Sequence, residues 1–214
     1  MHFAVFGDVH GNWPALKAVL DDIARRGILT IVHTGDLVVG FPYPNEVVEA
    51  VRERGIPGVQ GEWDRLTVRA SRKGESIQRK IGEDEWEALQ WTYSHTQSRS
   101  LEFLRALPKT RTFDMDGTPV FVCHGTPASS SDVLLRGEAD MRFKRMREVA
   151  NTPIVVCGKS HEPFARTVDG TLFVNPGAVG LAAGDGAVAS YAVVSTESAP
   201  ASAELCTVSY TRGV

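Results

Sequence analysis

Asp8 and His10 stand two residues apart in the stretch Gly7-Asp8-Val9-His10-Gly11-Asn12. A carboxylate oxygen and an imidazole nitrogen at that spacing can reach one divalent ion together. Four more stretches carry acids or imidazoles beside glycine: Gly35-Asp36, Gly61-Glu62-Trp63-Asp64, His124-Gly125 and Gly158-Lys159-Ser160-His161. Such N and O donors suit hard to intermediate ions such as manganese, iron, zinc, nickel or magnesium. Two ions bridged by a carboxylate, about 3.5–4 Å apart, can hold a phosphoryl group and activate a water. Read alone, the first stretch is equally a capped turn, with Asp8 bonding backbone amides and His10 exposed. The chemistry requires elements that bring these stretches together.

The pattern of the chain supplies such elements. His2-Phe3-Ala4-Val5-Phe6 is an apolar run of strand length. Pro14 opens a helix with Leu16, Val19, Leu20 and Ile23 on one face. A second apolar strand, Ile28 to Thr34, leads to Gly35-Asp36. Strand, helix and strand make a βαβ unit with parallel strands, so both Gly-Asp pairs fall at one edge of the sheet, where open α/β sheets bind ligands. A helix carries Val47, Val48 and Val51, and a short third strand, Gly55 to Gln60, ends in Gly61-Glu62-Trp63-Asp64.

Arg65 to about Lys109 reads as helical and polar, either covering the site or packing outside the sheet. Hairpins are expected at 110–123, turned by Met115-Asp116-Gly117, and at 164–174, turned by Asp169-Gly170. Between them lie a helix near 139–150 and a buried strand at 153–157, and strands at 187–195 and 204–211 close the chain. A βαβ first half and a hairpin-rich second half imply two packed sheets with helices outside.

Composition narrows the function. Of the 214 residues 43% are hydrophobic and 23% charged, which are globular values and exclude a disordered chain. A formal net charge of −3 gives no basis for general nucleic-acid binding or for an anionic membrane surface. No apolar run is long enough to span a membrane, and Met1 to Val9 lacks the basic and long apolar segments of a signal peptide. Cys123, Cys157 and Cys206 do not make a disulfide framework, and a reducing cytoplasm is the expected compartment. Oligomeric state has no signal in the sequence.

The ordered motifs resemble those of the calcineurin-like metallophosphoesterases, in particular their small single-domain bacterial and archaeal members. Gly7-Asp8-Val9-His10, Gly35-Asp36-Leu37-Val38-Val39-Gly40, Gly61-Glu62-Trp63-Asp64, His124-Gly125 and Gly158-Lys159-Ser160-His161 occur in family order, followed by a matching tail from Asp169 to Gly180. The resemblance implies one domain over residues 1–214, an α/β fold built as a four-layer α/β/β/α sandwich of two mixed sheets flanked by helices. It implies that Asp8, His10, Asp36 and His161 hold a first divalent ion. Asp36 would bridge to a second ion, with His124 as a ligand of that one. Manganese is the first choice of ion, with iron, zinc, nickel and magnesium as alternatives.

Two motifs depart from the family pattern. Glu62 stands where the family places an asparagine ligand, Trp63 where it places a histidine, and Lys159 where it places another histidine ligand. Glu62 is itself a good hard ligand and remains a candidate for the metal. Alternatively an ammonium and a carboxylate aimed into one small space attract each other, and a Glu62–Lys159 ion pair would then occupy the place of the second ion. Trp63 cannot shuttle a proton at neutral pH. His124, Lys159 and Asp64 are the candidate catalytic residues, the first two to hold phosphoryl oxygens. The expected activity is hydrolysis of a small phosphorylated substrate, best a phosphodiester with a good leaving group. The alternative is a weakened or inactive fold used as a scaffold or as a sensor of a phosphorylated ligand.

Overall fold

A computed structural model describes residues 1–181, 187–197 and 199–211. Of the expected span 1–214, residues 182–186, 198 and 212–214 therefore lie outside the described residues. The chain begins with β1 (His2–Phe6), α1 (Trp13–Arg25) and β2 (Ile31–His33). Strands β1 and β2 pair in parallel, with Phe6 opposite His33, so the βαβ unit forms as the apolar pattern requires. Helix α1 starts where the Asn12 side chain accepts from the Ala15 amide at 3.2 Å, with Pro14 in its first turn. It buries Ala15, Leu16, Val19, Leu20 and Ile23 along one stripe.

Strand β2 is shorter than the apolar run from Ile28 to Thr34. Ladder pairing begins at Ile31, and Leu29 is 94% exposed in the connection from α1. The expected third strand, Gly55 to Gln60, reduces to a single parallel bridge between His33 and Gly58. Two bonds, His33 N–H to Pro57 O and Val59 N–H to His33 O, tie it to β2. Pro57 has no N–H to offer, and Gly58 lies so close that a Cβ there would sit 2.3 Å from the His33 ring.

The next helices are α2 (Pro44–Glu53), α3 (Glu62–Gln78), α4 (Glu83–His95) and α5 (Ser98–Ala106). Helix α3 starts three residues before the expected Arg65. The Asp64 carboxylate accepts from the Gly61 amide at 2.9 Å and closes the N-terminal turn. Glu62, Trp63 and Asp64 are thus the first turn of a helix, not a turn at a strand end.

The second half contains β3 (Thr110–Met115), β4 (Thr118–Cys123), α6 (Asp140–Ala150), β5 (Ile154–Val156), β6 (Phe164–Val168), β7 (Thr171–Asn175), β8 (Val188–Ser195) and β9 (Ser202–Ser209). Both expected hairpins form, β3 with β4 and β6 with β7. One sheet has the order β2-β1-β8-β9 and the other β3-β4-β5-β7-β6, and both mix parallel and antiparallel pairs.

Three apolar clusters stack the layers. Phe6, Tyr191 and Val193 on the outer face of the first sheet meet α1 and α2, with Leu66, Trp86, Leu89 and Leu104 from α3 to α5. Phe3, Val5, Val32 and Val194 face Val120, Val122, Ile154 and Val174 between the sheets. Phe143 and Met146 of α6 pack on Val155, Phe164 and Phe173 on the far face of the second sheet. The result is the four-layer α/β/β/α sandwich, with the helices of the 62–106 region outside the first sheet. Among the described residues no helix is long and apolar enough to cross a membrane.

Candidate metal centre

Strands β1 and β2 end in Gly7-Asp8 and Gly35-Asp36, and the two loops are laced together. Asp8 N–H donates to Gly35 O at 3.0 Å, His10 N–H to Asp36 O at 3.0 Å and Gly11 N–H to Leu37 O at 2.8 Å. Strands β4, β5 and β7, parallel in the other sheet, end in His124, Lys159 and Asn175. Gly158 N–H donates to His124 O at 2.8 Å, and the His124 ring reaches across to the Thr34 carbonyl of the first sheet. Five of these residues hold left-handed backbone: Asp8 (φ 51°), His10 (54°), Asp36 (52°), Lys159 (69°) and His161 (58°). Each costs roughly 1–3 kcal/mol, a strain that the surrounding structure must impose. At Gly158 a Cβ would sit 2.9 Å from the Asp8 carboxylate, so only glycine lets this backbone approach.

Among the described residues two groups of donors result. Asp8, His10 and His161 each offer an atom within 4.8 Å of the others, and so do Asp8, Asp36 and His124. Asp8, His10, Asp36 and His124 are buried, and His161 is partly exposed. His10 Nδ1 lies 2.8 Å from the Val39 carbonyl, so it carries the proton and leaves Nε2 with a free lone pair. That lone pair faces His161 Nε2 at 3.2 Å, and His161 Nε2 lies 3.5 Å from Asp8 Oδ1. In the second group His124 Nδ1 donates to Thr34 O at 3.0 Å. Its buried Nε2 makes no hydrogen bond of good geometry, yet lies 3.1 Å from Asp36 Oδ2.

Each of these contacts holds together through one proton, and a divalent ion bound to the same nitrogens and carboxylates would take that proton's place, so this donor set fits a divalent ion. The charges tell the same story. Burial works against a charged His124, but the Asp36 and Asp8 carboxylates outweigh it and raise its pKa to about 9. Burial likewise opposes ionisation of Asp36, and His124, His10 and the Trp63 amide overcome it, bringing the pKa down to about 2. His10 is lowered, chiefly by burial. A metal must therefore displace a proton at His124 but none at His10.

The remaining predicted residues take other positions. Glu62 is in neither group: its carboxylate pairs with the Lys159 ammonium and lies 3.3 Å from Arg65. Asp64 spends both oxygens on backbone amides, Leu37 at 2.8 Å and Gly61 at 2.9 Å, and burial with the Asp36 charge raises its pKa to about 7. Trp63 donates its N–H to Asp36 Oδ1 at 2.7 Å, while its ring packs against the helix-side core.

Asn175, at the end of β7 and outside the candidate set above, also belongs to this site. It is fully buried, donates to Gly158 O at 2.8 Å and Ser160 Oγ at 3.0 Å, and accepts from Gly177 N–H at 2.9 Å. It thereby fixes the loop that carries Lys159 and His161. Its signal was an asparagine at a strand end beside Pro176-Gly177, a place where a side-chain amide replaces missing backbone partners.

Comparison with known proteins agrees with this geometry. Residues 1–199 match the sequence profile of the calcineurin-like phosphoesterase superfamily domain. An uncharacterized protein of Methanocaldococcus jannaschii is 30% identical over 180 residues, covering 83% of this chain and 70% of that protein. A metallophosphoesterase from Sphaerobacter thermophilus is 26% identical, with a TM-score of 0.75, over 99% of this chain and 90% of that one. A hypothetical protein from Pyrococcus horikoshii OT3 has a TM-score of 0.88 at 22% identity, over 99% of this chain and 89% of its own, and so shares the fold.

Proposed function

The chain belongs to the calcineurin-like phosphoesterase superfamily, and from that premise we propose that it hydrolyses a small phosphate ester by a divalent-metal-dependent mechanism. The observation that carries this reading is the convergence of Asp8, His10 and His161, two imidazole nitrogens and a carboxylate brought to one point. These three, with Asp36 beside them, would hold the ion, and manganese is the first to try. Bound there, it would polarise a phosphoryl oxygen and lower the pKa of a water.

The protein's own groups supply the rest. Val39 and Thr34 carbonyls lock the tautomers of His10 and His124. His124, bonded to the Thr34 carbonyl through Nδ1 and 3.1 Å from Asp36 Oδ2 through Nε2, would hold Asp36 in place. Lys159, anchored by Glu62, would place a second positive charge at the same rim. Asp64 braces the Asp36 loop through Leu37 rather than meeting substrate. With Trp63 unable to donate a proton to a leaving group, phosphodiesters with good leaving groups are the expected substrates.

The test is initial rate on an activated aryl phosphodiester as manganese is added back to metal-stripped protein. A saturating rise that disappears on re-chelation is expected. One observation favours a second reading, a phospho-ligand-binding protein without turnover: no proton donor to a leaving group stands at Trp63. A flat rate with the metal bound would select that reading.

A further inference from the structure

We infer that this centre takes a single divalent ion, and that the Lys159 ammonium, clamped by Glu62, stands as a fixed cation where a second ion would otherwise sit. The inference rests on the metal-dependent reading above and specifies its site.

The two donor groups share Asp8, so filling both would put two dications against one carboxylate. They differ in what borders them. The Asp8–His10–His161 group is made of a carboxylate and two imidazole nitrogens, the types that ligate, at 3.2 and 3.5 Å from one another. The Asp8–Asp36–His124 group is bordered by Lys159, whose positive charge is felt at the His124 ring. An ammonium has hydrogens to give and no lone pair, so it cannot ligate.

Lys159 is also held in place at both ends. Its backbone N–H lies 3.2 and 3.1 Å from the two Asp8 oxygens, its φ is 69°, and its ammonium is paired with Glu62. The side chain is only 17% exposed, which leaves little room for it to swing into solvent. Glu62, the carboxylate that the sequence offers as a further ligand, is spent on Lys159 and Arg65. A second dication would have to take Glu62 from both partners and leave the ammonium unpaired beside two metals. A lysine here does electrostatically what a second ion does for phosphoryl oxygens, and it does so without a metal to lose.

The experiment is equilibrium dialysis of metal-stripped protein against manganese chloride, with bound metal counted and the electron paramagnetic resonance spectrum recorded. The unaltered protein and Lys159→Arg are expected to bind about one equivalent and to show isolated manganese, because each keeps a cation there. Lys159→Ala frees Glu62 to ligate and is expected to bind about two equivalents, with the spectrum of an exchange-coupled pair. Lys159→Gln serves the same purpose should the alanine variant not fold. Two equivalents in the unaltered protein, or one in every variant, would overturn the inference. Two equivalents with turnover intact would leave the phosphoesterase reading standing, whereas no manganese bound at all would remove both.

Discussion

The two donor groups lie a few ångströms apart and share Asp8, yet they are built differently. In the Asp8–His10–His161 group His10 donates Nδ1–H to Val39 O and turns the lone pair of Nε2 toward His161 and Asp8, while burial lowers its pKa. The Asp8–Asp36–His124 group already contains its own counter-charge. Asp36 Oδ2 lies 3.1 Å from His124 Nε2, the Trp63 backbone amide binds Asp36 Oδ1, and the charge of Lys159 acts on the same ring. The first group needs a cation, and the second has one. Ligand types alone therefore do not define a metal site. Which proton each ligand already holds, and which fixed charges stand beside it, decide where the ion goes.

That contrast can be broken most strongly at Asp8, which belongs to both groups. Even outer partners of metal ligands are worth about 10–100-fold in affinity or activity, so Asp8→Ala should lower manganese affinity and turnover by more than about 100-fold. Metal titration and initial rates on the same preparation check this. Next comes His124→Asn. If the ion sits with His10 and His161, this variant keeps its manganese and loses about 10–100-fold in activity, as removal of an outer partner of a metal ligand does. Loss of the metal instead would move the ion to the second group. Asn175→Ala should act through position alone. The loop of Lys159 and His161 loses two hydrogen bonds and the Gly177 amide loses its acceptor. About 1–3 kcal/mol of stability and about tenfold in manganese affinity are expected, measured by denaturation and by dialysis.

The same contrast explains how much of the site was legible in the sequence. The βαβ pattern was enough to place Asp8, His10 and Asp36 at one sheet edge, because parallel strands put their carboxyl ends together, while His124 and His161, on the other sheet, joined them only through the resemblance of the ordered motifs. The opposite charges of Glu62 and Lys159 pointed to their pairing across almost a hundred residues of chain. What could not be read was local competition for backbone. Gly61-Glu62-Trp63-Asp64 has the look of a strand-end turn, but Asp64 caps a helix, which withdraws it from the substrate side and turns Glu62 toward Lys159. The run from Gly55 to Gln60 has apolar residues enough for a strand, yet Pro57 and the crowding of Gly58 on His33 leave one bridge. The strand order β3-β4-β5-β7-β6 depends on which edges remain open after the hairpins form, and hydropathy patterns do not record that.

His33 offers the smallest and cleanest perturbation, because it is a buried histidine that neither group uses. It lies in β2 three residues before Asp36, stacks on Phe6 with ring centroids 6.1 Å apart, and has no partner for either ring nitrogen. Burial pushes its pKa down to about 3. The unfolded chain, with an ordinary imidazole near pKa 6.5, binds this proton first as the solution is acidified. Stability from a neutral His33 is thus fully present above about pH 6.5 and is lost progressively as pH falls toward 3. At roughly 1.4 kcal/mol per pH unit, the loss reaches about 2 kcal/mol by pH 5. Asp64 runs the other way. Its raised pKa means that the folded state holds an extra proton between about pH 4 and 7, so its contribution grows as pH falls through that window. Between pH 5 and 7 the two therefore act in opposite directions in the unaltered protein. His33→Leu removes one side of that balance and keeps side-chain volume. Denaturation midpoints should then show the variant gaining up to about 2 kcal/mol on the unaltered protein at pH 5, relative to their difference at pH 7. Manganese stoichiometry and turnover should be unchanged at both pH values, since the His33 ring has no hydrogen bond to any residue of either group. A fall in metal binding would show that His33 supports the Asp36 loop, and would join this strand to the second group.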